Sequence, residues 1–193
     1  DVKIVDAYKD NLSTKELSKQ IENYKPDIVG ITVLMDQYAK AGHMTAKIAK
    51  EVSKKIITVL GGVYATANPK RAAKDKNIDY IVVGEGEYVF KQLVAYYSGA
   101  CDLPDRGICF RKNGTDELNN RGHAAFIKDL DNLPKPAYHL IDFLSYANHF
   151  NSRKSVDQPG GCPYARIVTS RGCPEKCSFC QVPSLQGSFF RAR

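Results

Sequence analysis

Three cysteines near the end of the chain are the residues best suited to chemistry. Cys173, Cys177 and Cys180 stand in the spacing C-x-x-x-C-x-x-C inside Arg171-Gly172-Cys173-Pro174-Glu175-Lys176-Cys177-Ser178-Phe179-Cys180. Thiolates are soft ligands that favour iron–sulfur clusters, zinc and copper(I). A [4Fe–4S] cluster usually takes four cysteines. Three would leave one iron open, the condition under which a metal site is catalytic rather than structural. The same thiols could instead form a zinc knuckle with a remote fourth ligand, or be unrelated. Zinc sites favour C-x-x-C pairs closed by a fourth ligand, which weighs toward the cluster. A strand-like run, residues 165–169, leads into the loop.

The elements ahead of this loop must position it. Residues 2–7 read as a strand. Ser13 and Glu16 form a capping box, and Leu17, Ile21 and Tyr24 then recur at helical spacing until Pro26. Residues 27–34 are a continuous apolar run, as expected of a strand covered on both faces. A helix over 41–54 carries Met44, Ile48 and Val52 on one stripe, and residues 56–60 are a second buried strand ending at Gly61-Gly62. A short helix near 69–74, a strand over 79–83, the loop Gly84-Glu85-Gly86-Glu87 and a helix over 87–97 with Phe90, Leu93, Val94 and Tyr97 inward complete the alternation. This pattern predicts an α/β fold, a Rossmann-like parallel sheet with helices on both faces. Ligands of such sheets bind at the C-terminal ends of the strands. Thr32, Gly61, Gly62, Gly84 and Gly86 all fall there, where glycine lets backbone approach a ligand, although tight turns would use the same residues. No G-x-G-x-x-G follows the first strand and no G-x-x-x-x-G-K-[ST] occurs, which argues against a dinucleotide or P-loop site. After Gly99 the alternation breaks. Residues 106–112 and 117–119 flank Asn113-Gly114, a hairpin signal. Residues 129–137 are a proline-punctuated connector, and residues 152–162 read as a loop or domain boundary.

Composition narrows the classes. At 193 residues, 43% apolar and 25% charged, the chain can hold one domain, or one domain and part of another. No apolar run approaches the ~20 residues that span a bilayer, and no basic-then-apolar leader opens it. Cysteines committed to a cluster imply a reducing, cytoplasmic setting, with Cys101, Cys109 and Cys162 as free thiols. The net charge of +7 is spread over helix faces through residues such as Lys15, Lys19, Lys47 and Lys54. No basic, aromatic-interleaved patch calls for nucleic acid.

The stretch from Thr169 to Cys180 resembles the signature loop of radical S-adenosylmethionine enzymes, in its spacing, its Arg-Gly-Cys-Pro lead-in and the aromatic before the last cysteine. That resemblance implies a [4Fe–4S] cluster on Cys173, Cys177 and Cys180, with S-adenosylmethionine chelating the open iron. Phe179 would help form the adenine site. Reductive cleavage of the sulfonium would release a 5′-deoxyadenosyl radical. The preceding half is similar to the cobalamin-binding domain found before the radical domain in one large class of these enzymes. The resemblance rests on the strand from Ile28 to Leu34, with Thr32 in the serine place, on Leu60-Gly61-Gly62-Val63-Tyr64-Ala65-Thr66 with Asn68-Pro69, on Val83-Gly84-Glu85-Gly86-Glu87, and on the connector from Leu130 to Ala137. It implies that Thr32, Leu34, Gly61, Gly62, Val63, Gly84, Glu85 and Gly86 border cobalamin.

Membership of that class implies methylation, or radical rearrangement or cyclisation, at an unactivated carbon of a small-molecule substrate. A reductant such as flavodoxin or ferredoxin would supply the electron. The family pattern places a cobalamin-binding-like domain at 1–99, a hairpin and proline-containing connector at 100–160, and the start of a partial (βα) barrel, its first strand and cluster loop, at 161–193. A further strand and helix ahead of residue 1 and the rest of the barrel after residue 193 are expected of a longer protein. Two departures stand. None of His43, His123, His139 and His149 has an aspartate two residues before it, so the D-x-H-x-x-G motif that ligates cobalt from below in some cobalamin domains is missing. The substrate-determining barrel is also outside this sequence. Two alternatives remain: a radical enzyme whose first domain has lost cobalamin, and a non-enzymatic interaction module with zinc on the three cysteines.

Overall fold

The computed structural model describes residues 1–112, 115–146 and 167–193. The Asn113-Gly114 turn, Cys162, His149, the loop at 152–162 and the first two residues of the run at 165–169 lie outside the described residues.

A five-stranded sheet organises the chain: β1 (Ile28–Thr32), β2 (Ile57–Gly61), β3 (Tyr80–Val82), β4 (Ile108–Arg111) and β5 (Leu118–Asn120), in spatial order β1-β2-β3-β4-β5. The first three strands are parallel, with Ile31 opposite Leu60 and Leu60 opposite Ile81. β4 runs antiparallel to β3, with Ile81 opposite Cys109, and β5 antiparallel to β4. The hairpin is therefore not a separate appendage. Its two strands extend the sheet.

The period of two sorts the strand residues between two cores. Leu60, Ile81 and Cys109 join Val33, Ala46, Tyr64, Ala65 and Ala72 on one face. Val59, Val82 and Ile108 join Val89 and Leu93 on the other. Helices α2 (Ala39–Val52), α3 (Val63–Ala67) and α4 (Pro69–Ala72) contribute to the first core, and α5 (Gly86–Tyr97) to the second. α1 (Thr14–Tyr24) packs through Ile21 against Ile48 and Ala49 of α2. Its start follows the sequence: Ser13 and Glu16 exchange both bonds of the capping box, and Lys25 ends the helix in the left-handed region just ahead of Pro26.

The inward faces of two helices differ from their apolar stripes. In α2 the buried side is mainly small, comprising Ala39, Gly42, Ala46 and Ala49 beside Ile48, while Met44 is exposed. Small residues let α2 approach the sheet closely; a Cβ on Gly42 would run into the Val33 side chain. In α5, Val89 and Leu93 are buried and Phe90 packs over Gly30, whereas Val94 and Tyr97 remain exposed.

Two expected strands are corrected. Residues 2–6 carry no strand pairing, and Val2, Ile4 and Val5 are exposed. Periodicity alone offers such a run no partner, and a strand needs one for its N–H and C=O groups. Residues 167–169 are likewise outside any strand, with Ile167 and Val168 exposed, although Thr169 O accepts from Arg193 N–H at 2.8 Å. The paired segment lies just beyond them. β6 (Ser170–Arg171) forms a two-stranded antiparallel ribbon with β7 (Arg191–Ala192), which follows the short helix α6 (Val182–Gln186). No helix among the described residues is long and apolar enough to cross a membrane.

Candidate functional site

The three parallel strands end on one edge of the sheet, and the residues singled out above gather there. Thr32 closes β1, with Val33 buried and Leu34 63% exposed. Gly61 closes β2, and Gly62 caps α3, which begins at Val63. Gly84 follows β3, and Glu85 caps α5, which begins at Gly86. Exposed Leu34, Met35 and Val63 make this edge an apolar shelf.

Gly62 and Gly84 are required by the fold itself. Both have φ in the left-handed region, and a Cβ would meet the Val33 backbone at Gly62 and the His123 ring at Gly84. Val33 N–H donates to Gly61 O (3.0 Å) and Tyr64 N–H to Val33 O (3.2 Å), so the Gly61-Gly62 turn is stitched to the end of β1. At Gly61 a Cβ would meet nothing closer than ordinary van der Waals distance, so a ligand could approach there.

His123 reaches this edge because the chain returns from β5, with Ala124 N–H donating to Val83 O at 2.8 Å. Its Nδ1 is 2.7 Å from Ala124 O, and its Nε2 is buried with no hydrogen-bond partner. A buried polar nitrogen without a partner is costly. Beside the apolar shelf, it fits a large ligand that carries both hydrocarbon and amide groups. No flanking motif marks His123 in the sequence, which lacks the aspartate of D-x-H-x-x-G. His43 has both nitrogens occupied, Nδ1 2.8 Å from Asp75 Oδ2 and Nε2 3.0 Å from Tyr64 OH.

Glu85 has the most extensive side-chain bonding at this edge. Its carboxylate is turned toward the end of the chain. Arg191 clasps it bidentately, Nη1 to Oε2 at 2.9 Å and Nη2 to Oε1 at 2.7 Å, and Ile127 N–H donates to Oε2 at 2.7 Å. Burial pushes the Glu85 carboxyl up, but the bonds from Arg191 and Ile127 outweigh it and hold the group below its ordinary value. A buried carboxylate remains charged only with partners of this kind. Arg191 also donates to the carbonyls of Ile127 and Gln186, and its guanidinium lies 5.3 Å from the Phe126 ring centre and 5.2 Å from that of Phe189. Arg171, its cross-strand neighbour, binds Glu87 and comes within 3.6 Å of Glu85. The only sign of Arg191 in the sequence was an arginine beside two phenylalanines.

Arg171 leads directly into the cysteine loop. A Cβ on Gly172 would collide with the Phe189 carbonyl, so only glycine fits between Arg171 and Cys173. Cys173 N–H donates to Gly187 O (3.1 Å) and Cys180 N–H to Cys177 O (3.1 Å). Cys177 is exposed, Cys173 and Cys180 are partly buried, and Phe179 is 89% exposed. Among the described residues no three His, Cys, Asp or Glu side chains stand close enough to hold a metal ion. The loop brings its thiols to one accessible segment without converging them. The chemistry of the donor set, three thiols within eight residues and none in a disulfide, fits an iron–sulfur cluster.

Fold and site together define an α/β ligand-binding domain whose strand-end edge is joined to a three-cysteine loop. Residues 1–94 match the B12 binding domain family. The chain is 34% identical over 188 residues to an uncharacterized methyltransferase of Pyrococcus horikoshii, covering 96% of this chain and 38% of that protein. It is 34% identical over 185 residues to the anaerobic magnesium-protoporphyrin IX monomethyl ester cyclase of Rubrivivax gelatinosus, covering 93% of this chain and 31% of the cyclase. The radical S-adenosylmethionine methyltransferase TsrM from Kitasatospora setae, solved with cobalamin and a [4Fe–4S] cluster bound, shares the fold with a TM-score of 0.72 at 18% identity. That alignment covers all of this chain and 38% of TsrM. Residues 1–94 therefore carry a B12-binding domain, and over nearly all its length the chain is similar to methyltransferases and to anaerobic cyclases. It spans well under half the length of these relatives.

Proposed function

We propose that this chain is the cobalamin-binding part, and the beginning of the cluster-bearing part, of a cobalamin-dependent radical S-adenosylmethionine enzyme. One observation carries the reading furthest: a B12-binding sheet whose ligand edge is ion-paired to the strand that enters a C-x-x-x-C-x-x-C loop. Cys173, Cys177 and Cys180 would hold the [4Fe–4S] cluster, and Phe179 would face the adenine of S-adenosylmethionine. Thr32, Leu34, Gly61, Gly62, Val63, Gly84 and Gly86 would border cobalamin, Glu85 contributing backbone alone. When bound, these groups supply reductive cleavage of a sulfonium and transfer of a methyl group or radical; the chain's own residues bind them, orient them and exclude water.

The cobalamin side of this assignment occupies residues 1–99, the hairpin that adds β4 and β5 to the sheet and the connector 100–160, and the entry to the barrel 161–193. The whole protein would act on an unactivated carbon of a small molecule, by methylation or by radical rearrangement or cyclisation. It would draw its electron from a flavodoxin- or ferredoxin-class reductant in a reducing cytoplasm.

Metal counting tests the reading. The chain is expressed without oxygen in the presence of iron, sulfide and hydroxocobalamin, and iron, cobalt and zinc are measured per chain. About four irons with one cobalt is the expected result. Iron without cobalt would mean a first domain that has lost cobalamin, and zinc alone would replace the enzyme by a zinc-stabilised module.

A further inference from the structure

Glu85 and Arg191 lie 106 positions apart in sequence, yet they meet in a bidentate pair in a buried site. Their side chains are 5% and 3% exposed. Glu85 stands in the loop between β3 and α5, on the sheet's ligand edge. Arg191 stands in β7, paired with Arg171 of β6, which is two residues from Cys173. Arg171 repeats the connection outward, to Glu87 and more distantly to Glu85. Two carboxylates at the start of α5, Glu85 at its cap and Glu87 in its first turn, thus meet two guanidinium groups from one ribbon, and the four formal charges cancel. Ile127 closes the cluster from the connector, its N–H donating to Glu85 and its carbonyl accepting from Arg191.

Phe189, edge-on to Phe126, and Arg193, donating to Leu133 O (2.8 Å), also hold the ribbon, but to the connector rather than to the start of α5. β6 and β7 are two residues each, and the residues entering the ribbon, Ile167 and Val168, are exposed rather than packed. A short exposed ribbon has marginal stability by itself. Bidentate arginine–carboxylate pairing fixes direction as well as distance.

We propose that Glu85, Arg191 and Arg171 are positioning residues: they lock the strand entering the cysteine loop to the β3–α5 loop, and so set the separation between a ligand on the sheet edge and a cluster on the cysteines. The lock rests on the ion pairs alone; its meaning for chemistry rests on the function proposed above.

Hydrogen exchange on the full chain, without added metal or cobalamin, tests the lock. The variant is Glu85→Gln, which keeps shape and removes charge. Breaking a buried pair from one side is strongly destabilising, so amides of the ribbon and of Cys173 should exchange at least about 100-fold faster. Amides of β2 should change by less than about threefold, because β2 belongs to another cooperative unit. Equal acceleration in β2 and in the ribbon would reduce the pair to general fold stability and overturn the proposal, as would unchanged exchange in the ribbon. Should Glu85→Gln fail to fold, Glu87→Gln probes the outer pair. About two- to fivefold faster exchange confined to the ribbon is expected of an exposed ion pair, and no change there would overturn the proposal. Iron and cobalt counts on the unmutated chain judge the cofactor reading separately. Their failure leaves the exchange result intact, and the reverse also holds.

Discussion

The sheet and the cysteine ribbon are held by opposite means. The sheet buries Leu60, Ile81, Leu93 and Ile108 almost completely between helices on two faces. The ribbon and its loop leave Phe179, Phe190, Ile167 and Val168 in the open and are tied down through arginines. The difference follows from what each must do. A sheet can specify itself by apolar burial, which is cumulative and non-directional. A loop that must keep three thiols accessible cannot also hide them in a core. Directional charge contacts at its roots hold it in place and leave its tip open.

The sharpest way to break this comparison is Cys177→Ala. Iron retained on anaerobic reconstitution should fall to background, while the urea midpoint of the sheet stays unchanged; a shifted midpoint would mean that the loop supports the core. Next is Leu60→Ala, at the centre of the larger core, which should cost about 2–5 kcal/mol in denaturant unfolding. Any iron loss in that variant should follow unfolding rather than precede it. The smallest expected effect is that of acid. Glu85 titrates below its ordinary 4.5, so its pairing with Arg191 contributes fully above that pH and is lost as pH falls through the lower folded value. The Ile127 amide resonance, whose N–H donates to Glu85, should therefore report a transition below pH 4.5 that precedes global unfolding.

The sequence was legible where an element is long and locally consistent. The capping box at Ser13 and Glu16, the apolar runs that became β1, β2 and β3, and the hairpin strands β4 and β5 all stand within about two residues of where pattern placed them. The strand-end cluster from Thr32 to Gly86 was legible for the same reason, since alternation with helices sends parallel strands to a common edge. Two kinds of feature were hidden. Burial by small residues leaves no hydrophobic signal, so Gly42, Ala46 and Ala49 were passed over for Met44. Non-local pairing leaves no periodicity at all. Nothing near Glu85 in the sequence indicates Arg191, and the apolar look of residues 2–6 carried no information about a partner strand. The five-residue helix α3, Val63–Ala67, was also missed, because a helix this short between Gly62 and Asn68 spans barely more than one turn.

The Glu85–Arg191 pair also has a consequence for the order of folding. Closing a contact across 106 residues costs more chain entropy than forming a capping box or a βαβ crossover. Such contacts are rewarded only after the elements between them have condensed, and they slow the step that makes them. The sheet should therefore form while the last stretch of chain is still loose, and the ribbon should dock late onto a surface already built. Its thiols then stay free in the interval between synthesis of the sheet and closure of the pair. That interval is a kinetic window in which an iron–sulfur donor could reach them.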